Sequence, residues 1–305
     1  MKTLSLILSL ALLPACALSR HPSVAVTAAS VSAPPLAEPG PLTLESVVSA
    51  RWSVPLSGLV NLENPDAAGL VDGDVPIVLP VHVLTHPERG AFVIDTGAPA
   101  DLSVMGPLVG GFLGDMEVVD PMADILARQS APLAGVLITH MHLDHILGLA
   151  DIPVETPIYA GPGELEVRQA SNALLRRPYK RLLDDRAPLQ SWDWTDAGTL
   201  GGLPAIDVLG DGSLWALSVP GHTPGSTAYL ARTVDGPVLF TGDCAHLQWS
   251  WTSGVEAGSY TADHAQHRQS LAALRQLAAQ IDGVQVFTGH ELTGEDTGVD
   301  MIAAR

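Results

Sequence analysis

The chain has 305 residues, of which 47% are hydrophobic and 16% charged, so it can form a sizeable core and is not disordered throughout. Its net charge is −18, from 33 acidic and 15 basic residues. The only lysines are Lys2 and Lys180. Because binding to a phosphate backbone needs clustered basic residues, this composition argues against a nucleic-acid partner.

The first 17 residues have the pattern of an export signal. Lys2 supplies the positive start, and the apolar run 4–13 is too short to span a bilayer permanently. Two cleavage sites compete: ordinary signal peptidase would cut after Ala17, whereas Leu13–Cys16 resembles a lipobox that leaves a lipid on Cys16. We therefore expect an exported protein, secreted, periplasmic or a lipoprotein, with no other membrane attachment.

The stretch from residue 18 to residue 45 is rich in Ala, Ser, Val and Pro and shows neither a helical nor a strand period. It is typical of a flexible tether. Residues 46–305 then form the predicted single domain. Cys244 is the only cysteine besides Cys16, so no disulfide is expected if Cys16 is removed or lipidated.

Short strands alternate with helices along the rest of the chain, which predicts an α/β layered domain with its site on loops. The helices are predicted at Glu164–Arg176 and Thr261–Gln280, with His264 and His267 of the second on a solvated face. The predicted strands are Val75–Leu84, Ala91–Ile94, Gly135–Thr139, Leu214–Val219, Ala228–Ala231, Val238–Phe240 and Val284–Phe287.

The strongest chemical signal directly follows one of these strands. Within six positions the chain places His140, His142, Asp144 and His145. Imidazole and carboxylate groups suit zinc and related divalent ions, and burying so many polar groups without a metal is costly. The segment therefore predicts metal binding.

This H-x-H-x-D-H segment resembles the signature of the metallo-β-lactamase superfamily, and further motifs of that family follow in order. They are Asp95 in Asp-Thr-Gly, His222 in Gly-His-Thr-Pro-Gly, Asp243 in Gly-Asp and His290 in Gly-His. The resemblance covers about residues 75–292 and implies a four-layer αβ/βα sandwich. It implies one metal on His140, His142 and His222, and a second on Asp144, His145 and His290, with Asp243 bridging them.

The resemblance also implies the chemistry of this centre. Two divalent ions, with zinc favoured and Mn or Fe as alternatives, would share a hydroxide that attacks a carbonyl carbon or a phosphorus atom. Asp144 is the candidate for orienting the water and moving its proton. Asp95 is expected to support the metal loops, with an ordinary turn-forming Asp as the alternative.

Local differences within the superfamily narrow the activity. His142 stands where members that reduce oxygen or nitric oxide have Glu, and the bridging Asp243 is absent from classical metallo-β-lactamases. Residues 80–97 resemble N-acyl homoserine lactonases. The spacing of 80, 21 and 47 residues from His142 through His222 and Asp243 to His290 resembles exported organophosphate hydrolases.

One departure concerns the residue three positions after Asp243. Lactonases carry a tyrosine there that hydrogen-bonds the substrate carbonyl, and this chain has His246. An imidazole can donate the same bond, so His246 is either a catalytic donor or an unrelated surface histidine. Trp249 and Trp251 are expected either to line an apolar pocket or to pack on the core.

The sequence thus predicts a dinuclear metal-dependent hydrolase of a lactone or carboxylic ester. The alternatives, in order, are a phosphotriester or phosphodiester hydrolase, a β-lactamase, and a non-catalytic metal-binding lipoprotein. The oligomeric state is not indicated.

Overall fold

The computed structural model of the chain describes residues 16–27, 35–169 and 172–292. Its strands are β1 Cys16–Ala17, β2 Ser23–Val26, β3 Thr43–Pro55, β4 Asp74–His86, β5 Gly90–Ile94, β6 Glu117–Val118, β7 Leu133–Leu137, β8 Ile158–Ala160, β9 Arg168–Gln169, β10 Leu189–Trp192, β11 Gly198–Leu200, β12 Leu203–Asp207, β13 Leu214–Ser218, β14 Thr227–Thr233, β15 Gly236–Phe240 and β16 Gln285–Phe287. Its helices are α1 Leu56–Leu59, α2 Pro107–Phe112, α3 Met122–Ala127, α4 Leu143–Ile146, α5 Asn172–Leu183, α6 Gln248–Ser253 and α7 His264–Ala278. Short 3-10 turns cover Pro65–Ala67, Leu102–Met105, Leu147–Asp151 and Gly242–Cys244.

Most strands lie in two sheets. The first has eight strands in the order β2-β10-β8-β7-β5-β4-β3-β6, and the second has six in the order β11-β12-β13-β14-β15-β16. β1 and β9 form a separate antiparallel pair. Along the interior strands, alternate side chains point to opposite faces, so each sheet can bury both faces.

The buried side chains show how these sheets are layered. Leu84 and Phe92 of the first sheet share a core cluster with Tyr229 and Phe240 of the second, so the two sheets pack face to face. The other face of the second sheet packs against the apolar side of α7, which includes Leu274. The other face of the first sheet packs against further helices. The expected four-layer αβ/βα sandwich is confirmed.

All the predicted strands are present, with small changes at their ends. The helix predicted at Thr261–Gln280 is α7, but the one predicted at Glu164–Arg176 is wrong over its first part. Residues 162–166 form a turn around Gly163, whose φ is +82°, and α5 begins only at Asn172. The turn directs Glu164 into the interior, where its side chain is 3% exposed.

The N-terminal region differs from the predicted tether. Ser23–Val26 pairs in parallel with β10 and forms an edge of the first sheet, and β3 begins at Thr43. The open backbone groups of β10 offer a pairing partner that a Pro- and Ser-rich composition does not reveal. Residues 1–15 of the predicted export signal lie outside the described residues. None of the helices in the described ranges is long and apolar enough to cross a membrane.

Candidate metal centre

Seven predicted ligands meet at one edge of the two sheets, because each follows the carboxyl end of a strand. The segment 140–145 follows β7, which runs parallel to β5. On the second sheet, His222, Asp243 and His290 follow β13, β15 and β16. β13 and β15 are both antiparallel to β14, and β16 is parallel to β15, so these three strand ends point the same way.

The first group of donors surrounds one oxygen of Asp243. The Nε2 atom of His222 lies 3.1 Å from Nε2 of His140 and 2.9 Å from Nδ1 of His142. Oδ2 of Asp243 lies 3.6 Å from the His140 Nε2 and 3.3 Å from the His222 Nε2. Three ring nitrogens and one carboxylate oxygen therefore converge, as the sequence predicts for one metal.

The second group of donors surrounds the other oxygen of the same carboxylate. Oδ1 of Asp243 lies 3.4 Å from Nε2 of His145 and 3.4 Å from Nε2 of His290. Oδ2 of Asp144 lies 3.8 Å and 3.6 Å from the same two nitrogens. Asp243 thus connects the two groups through its two oxygens, which is the geometry expected of a bridging ligand.

Divalent metal ions fit these donors. The candidate ligand atoms of His140, His142, His222 and Asp243 lie within 4.8 Å of one another, and so do those of Asp144, His145 and His290. His145 Nε2 and Asp243 Oδ1 are fully buried and have no hydrogen-bond partner among the described residues. Leaving such groups unsatisfied is costly, and a cation would satisfy both. Imidazole and carboxylate donors of this kind suit zinc.

The ionisation of the cluster reflects its burial and its crowding. Burial lowers the pKa of His140 and His222 well below the ordinary value, and neighbouring imidazoles lower it further. Burial also opposes the charging of His145, but Asp243 and Asp95 outweigh it and raise the pKa of His145 well above its ordinary value. Neighbouring carboxylates and neighbouring imidazoles therefore shift the pKa values of this cluster in opposite directions.

Hydrogen bonds orient the rings from behind. His145 donates from Nδ1 to Oδ2 of Asp95 at 2.7 Å, and His290 donates from Nδ1 to the Val78 carbonyl at 3.1 Å. Each bond leaves the lone pair of Nε2 facing the cluster. Asp95 also accepts from the backbone N–H and the hydroxyl of Thr139, both at 2.8 Å. The structure places Asp95 behind the cluster, in agreement with the predicted supporting role.

A second buried carboxylate, Glu164, was not identified from the sequence. It accepts from the backbone N–H of Met141 at 2.6 Å, from the Thr223 hydroxyl, and from the backbone N–H of Gly225 at 2.9 Å. It therefore connects the peptide between His140 and His142 to the loop that carries His222. The carbonyl of Met141 accepts from the Tyr179 hydroxyl, so the backbone N–H and the backbone carbonyl of Met141 are both hydrogen-bonded. Burial raises the pKa of Glu164 to about 7.

His246 lies next to Asp243 and not on the surface. It is 1% exposed, and its Nε2 lies 3.1 Å from Oδ2 of Asp243. Its ring stacks on His290 with centroids 5.7 Å apart. The surface-histidine interpretation is therefore wrong. His246 is not among the described residues that line the adjoining cavity, and its predicted role as a donor to substrate stays a prediction.

His267 also differs from its prediction. It is buried rather than solvated, and its Nε2 donates to the backbone carbonyl of Asp243 at 3.1 Å. The α7 side chain therefore holds the backbone of the bridging residue. The spacing of His264 and His267 predicts that they share a face of the helix, but it does not show which face of the helix packs on the core.

A cavity of about 410 Å³ opens onto the donor cluster. His142, Asp144, His222, Asp243 and His290 line it on one side. Its wall is largely apolar and includes Trp52, Val54, Leu59, Ile77, Leu143 and Leu175. No Lys or Arg is found among the described lining residues. Of the two alternatives for Trp249 and Trp251, packing on the core is the one observed, since they pack on two different core clusters.

Tyr260 and Leu18 also line this cavity, and the sequence singled out neither. The Tyr260 ring packs on Gly58, where a Cβ would lie only 2.2 Å from the ring, so a larger residue at 58 would displace it. Burial raises the pKa of the Tyr260 phenol, and the negative charge of Asp144 adds to this effect. Tyr260 is 43% exposed and lines the same cavity as Asp144.

Comparison with known proteins agrees with this geometry. The model of the metallo-beta-lactamase superfamily matches residues 80–290. The chain belongs to the metallo-beta-lactamase superfamily. The predicted family and the predicted class, a metal-dependent hydrolase, are both confirmed.

Two curated relatives and one solved structure show which proteins this superfamily member is similar to. The N-acyl homoserine lactonase AttM of Azorhizobium caulinodans is 29% identical over 229 residues, covering 72% of this chain and 83% of that protein. A hydroxyacylglutathione hydrolase of Hahella chejuensis is 30% identical over 185 residues, covering 59% of this chain and 58% of that protein. A crystal structure of B. thuringiensis AiiA with N-decanoyl-L-homoserine bound has a TM-score of 0.61 at 21% identity, covering 84% and 94% of the two chains, and shows the shared fold.

Proposed function

We propose that this superfamily member is a dinuclear metal-dependent hydrolase of neutral lactones or carboxylic esters that carry an apolar acyl group. The observation that carries the proposal is the junction of two unlike surfaces. A cluster of seven metal donors adjoins a wall that is largely apolar, with no Lys or Arg among its described residues. The resemblance to AttM supports a lactone as the substrate class.

The seven donors would hold two divalent ions, with zinc favoured by the nitrogen and carboxylate set. His140, His142 and His222 would hold one, Asp144, His145 and His290 the other, and Asp243 both. When bound, these ions would supply a hydroxide nucleophile at neutral pH and polarise the substrate carbonyl.

Asp144 is the residue best placed to move a proton. Its side chain is 22% exposed, whereas that of Asp243 is 4% exposed, so of the two it is Asp144 that substrate and water can reach. In ring opening, water adds its oxygen to the carbonyl carbon and the bond from that carbon to the ring oxygen breaks. We assign to Asp144 the transfer of the proton from the water to the departing oxygen.

We assign to Tyr260 the donation to the substrate carbonyl that the sequence analysis considered for His246. It lines the cavity beside Asp144, and its hydroxyl can donate to a substrate carbonyl oxygen. His246 instead contacts the carboxylate of Asp243 and would fix its orientation.

An anionic substrate such as a glutathione thioester fits the cavity less well, although a curated relative is a hydroxyacylglutathione hydrolase. Such a substrate carries carboxylates that require basic side chains or other donors. The described lining residues include Asp144, Asp243 and Glu164 but no Lys or Arg. A neutral phosphotriester has no such requirement, and the experiment must separate it from an ester.

The experiment uses the full-length protein loaded with zinc. Turnover is measured on an acyl homoserine lactone, phenyl acetate, an aryl phosphotriester and a cephalosporin, and metal content is measured alongside. We expect the lactone or the ester to be preferred and Asp243→Ala to lower turnover by more than the ~100-fold that loss of a supporting residue costs. The exposed Asp235→Ala is the control. Preference for the phosphotriester or the cephalosporin would show that the proposed substrate class is wrong.

A further inference from the structure

We propose that the N-terminal segment 16–27 is part of the substrate-binding wall, and that Leu18 on it sets which acyl-chain lengths the enzyme accepts. The inference rests on the proposed function, since it specifies the acyl part of that substrate. It concerns residues that the sequence assigns to the end of the export signal and to a tether, and which the structure instead places against the cavity.

The backbone of this segment is attached to the domain on both sides of Leu18. Before it, Cys16 and Ala17 pair with β9. After it, Ser19 donates its backbone N–H to Leu165 at 3.1 Å. Further along, Pro22 accepts from Leu189 at 3.0 Å, and β2 continues in parallel with β10. Leu18 is therefore held in place by the bonds of Ser19 and Pro22 and by β2, all of which remain if the export signal is cleaved after Ala17.

The Leu18 side chain faces the interior and reaches the cavity. It is only 7% exposed and belongs to the large core cluster that also contains Met141 and Tyr179. It lines the same cavity as the predicted ligands His142 and Asp144. Leu175 and Tyr179 of α5 line the same cavity. The side chain thus belongs both to the core and to the substrate wall.

Other apolar residues of the wall lie after the N-terminal segment, on elements within residues 46–305. Trp52 and Val54 lie on β3, Leu59 on α1 and Ile77 on β4. An acyl chain whose carbonyl lies at the donor cluster must run along apolar side chains, because each methylene that leaves water gains about fourfold in affinity. The volume of the side chain at position 18 then limits how many methylenes the wall can cover.

Two substitutions of opposite size test this assignment. Leu18→Trp reduces the space in the wall, and Leu18→Ala enlarges it. Val24→Trp and Val24→Ala are matched controls, because Val24 lies on the same segment but is 50% exposed. Thermal unfolding of each variant shows whether the fold is kept, and Leu18→Ala remains informative if Leu18→Trp does not fold.

Two readouts are needed so that this inference and the proposed function can fail separately. The first is kcat/KM for homoserine lactones with hexanoyl to dodecanoyl chains. The second is calorimetric binding of straight-chain carboxylates from hexanoate to dodecanoate to the zinc-loaded protein, which requires no turnover.

We expect Leu18→Trp to weaken the binding and turnover of the dodecanoyl compounds at least tenfold while the hexanoyl compounds change less than threefold. Leu18→Ala should shift the preference toward longer chains, and the Val24 variants should match the unmodified protein. Chain-length profiles that are the same in all folded variants would overturn the inference. If no lactone or ester is turned over, the proposed function is wrong, and the carboxylate series still decides the role of Leu18.

Discussion

The donor cluster and the cavity wall of this hydrolase adjoin each other but are built differently. The cluster consists of polar side chains at strand ends, and buried hydrogen bonds orient His145 and His290 within it. The wall consists largely of apolar side chains from several separate parts of the chain, and Leu18 and Tyr260 are among its lining residues. Reaction type depends on the first region and substrate choice on the second, so the two can vary independently.

The largest expected effect concerns the support of the cluster. Asp95→Asn places an amide where His145 and Thr139 now donate to a carboxylate oxygen. Asparagine also tolerates the positive φ of 54° at this position, so the backbone is kept. We expect zinc affinity to fall ~10–100-fold, measured by competition with a chromophoric chelator. Unchanged affinity, relative to Asp115→Asn at an exposed site, would show that Asp95 does not support the ligand.

A smaller effect is expected at Glu164. In Glu164→Gln the side-chain NH2 group takes the place of the oxygen that accepts from the Met141 N–H. Leaving that donor unsatisfied costs ~1–3 kcal/mol. We expect kcat to fall about tenfold, in line with the lower end of the range for outer-shell residues, with a smaller change in KM. Glu166→Gln on the same turn is exposed and serves as the control. Equal kinetics in both variants would contradict a link between the two metal loops through Glu164.

In the wall, Tyr260→Phe removes a hydroxyl without changing the ring that packs on Gly58. If the hydroxyl donates to the substrate carbonyl, kcat/KM should fall ~3–10-fold, the value of one ordinary hydrogen bond. Metal content should stay the same, which separates this residue from the cluster. Tyr159→Phe is the control, since Tyr159 stacks on Trp192 and is not among the described lining residues. A loss of metal in Tyr260→Phe would contradict the division between the two regions.

The smallest expected effect is one of stability alone. Burial opposes the charging of Glu256, but hydrogen bonds from Arg268 and Asn61 outweigh it and lower the pKa of Glu256 to about 2. Its ionised form therefore stabilises the fold above about pH 4.5, and this contribution is lost as pH falls from 4.5 toward 2. Glu256→Gln should lower the unfolding free energy by ~1–2 kcal/mol at pH 7 and by less near pH 3.

Denaturant unfolding of the metal-free proteins at both pH values measures this difference. A gap between the two proteins that is as large at pH 3 as at pH 7 would contradict the lowered pKa. Turnover at pH 7 should be unchanged, because Glu256 holds the turn at Asn61 and Asn64 and is not among the described residues that line the cavity.

The sequence predicts the two regions unequally well. The donors at 140–145 can be found because metal binding requires particular residue types at close spacing, and they directly follow a recognisable strand. His222, Asp243 and His290 are found only through the resemblance of their short motifs to those of the superfamily. Glu164 carries no such signal, since only the folded chain brings it to Met141. The same holds for Leu18 and Tyr260, because an apolar or aromatic side chain has the same pattern whether it lines a cavity or fills a core.

The errors in secondary structure have a related cause. The segment after Glu164 has helical spacing, but the Gly163 turn and the buried carboxylate impose a different path before α5 begins. Ser23–Val26 is too short to show a strand period and forms a strand only because β10 offers an open edge. In both cases contacts that are distant in sequence decide the local structure.

The carboxylate of Asp243 has a mechanical consequence for the whole chain. Its two oxygens face donors that stand on both sheets, at residues 140–145 and at 222 and 290. Ions bound there would cross-link the two halves of the sandwich and close long loops of the chain. Cys244 is buried as a free thiol. Bound metal ions would thus stabilise this fold as a disulfide stabilises others. A chelator should therefore lower the stability of the fold as well as inhibit turnover.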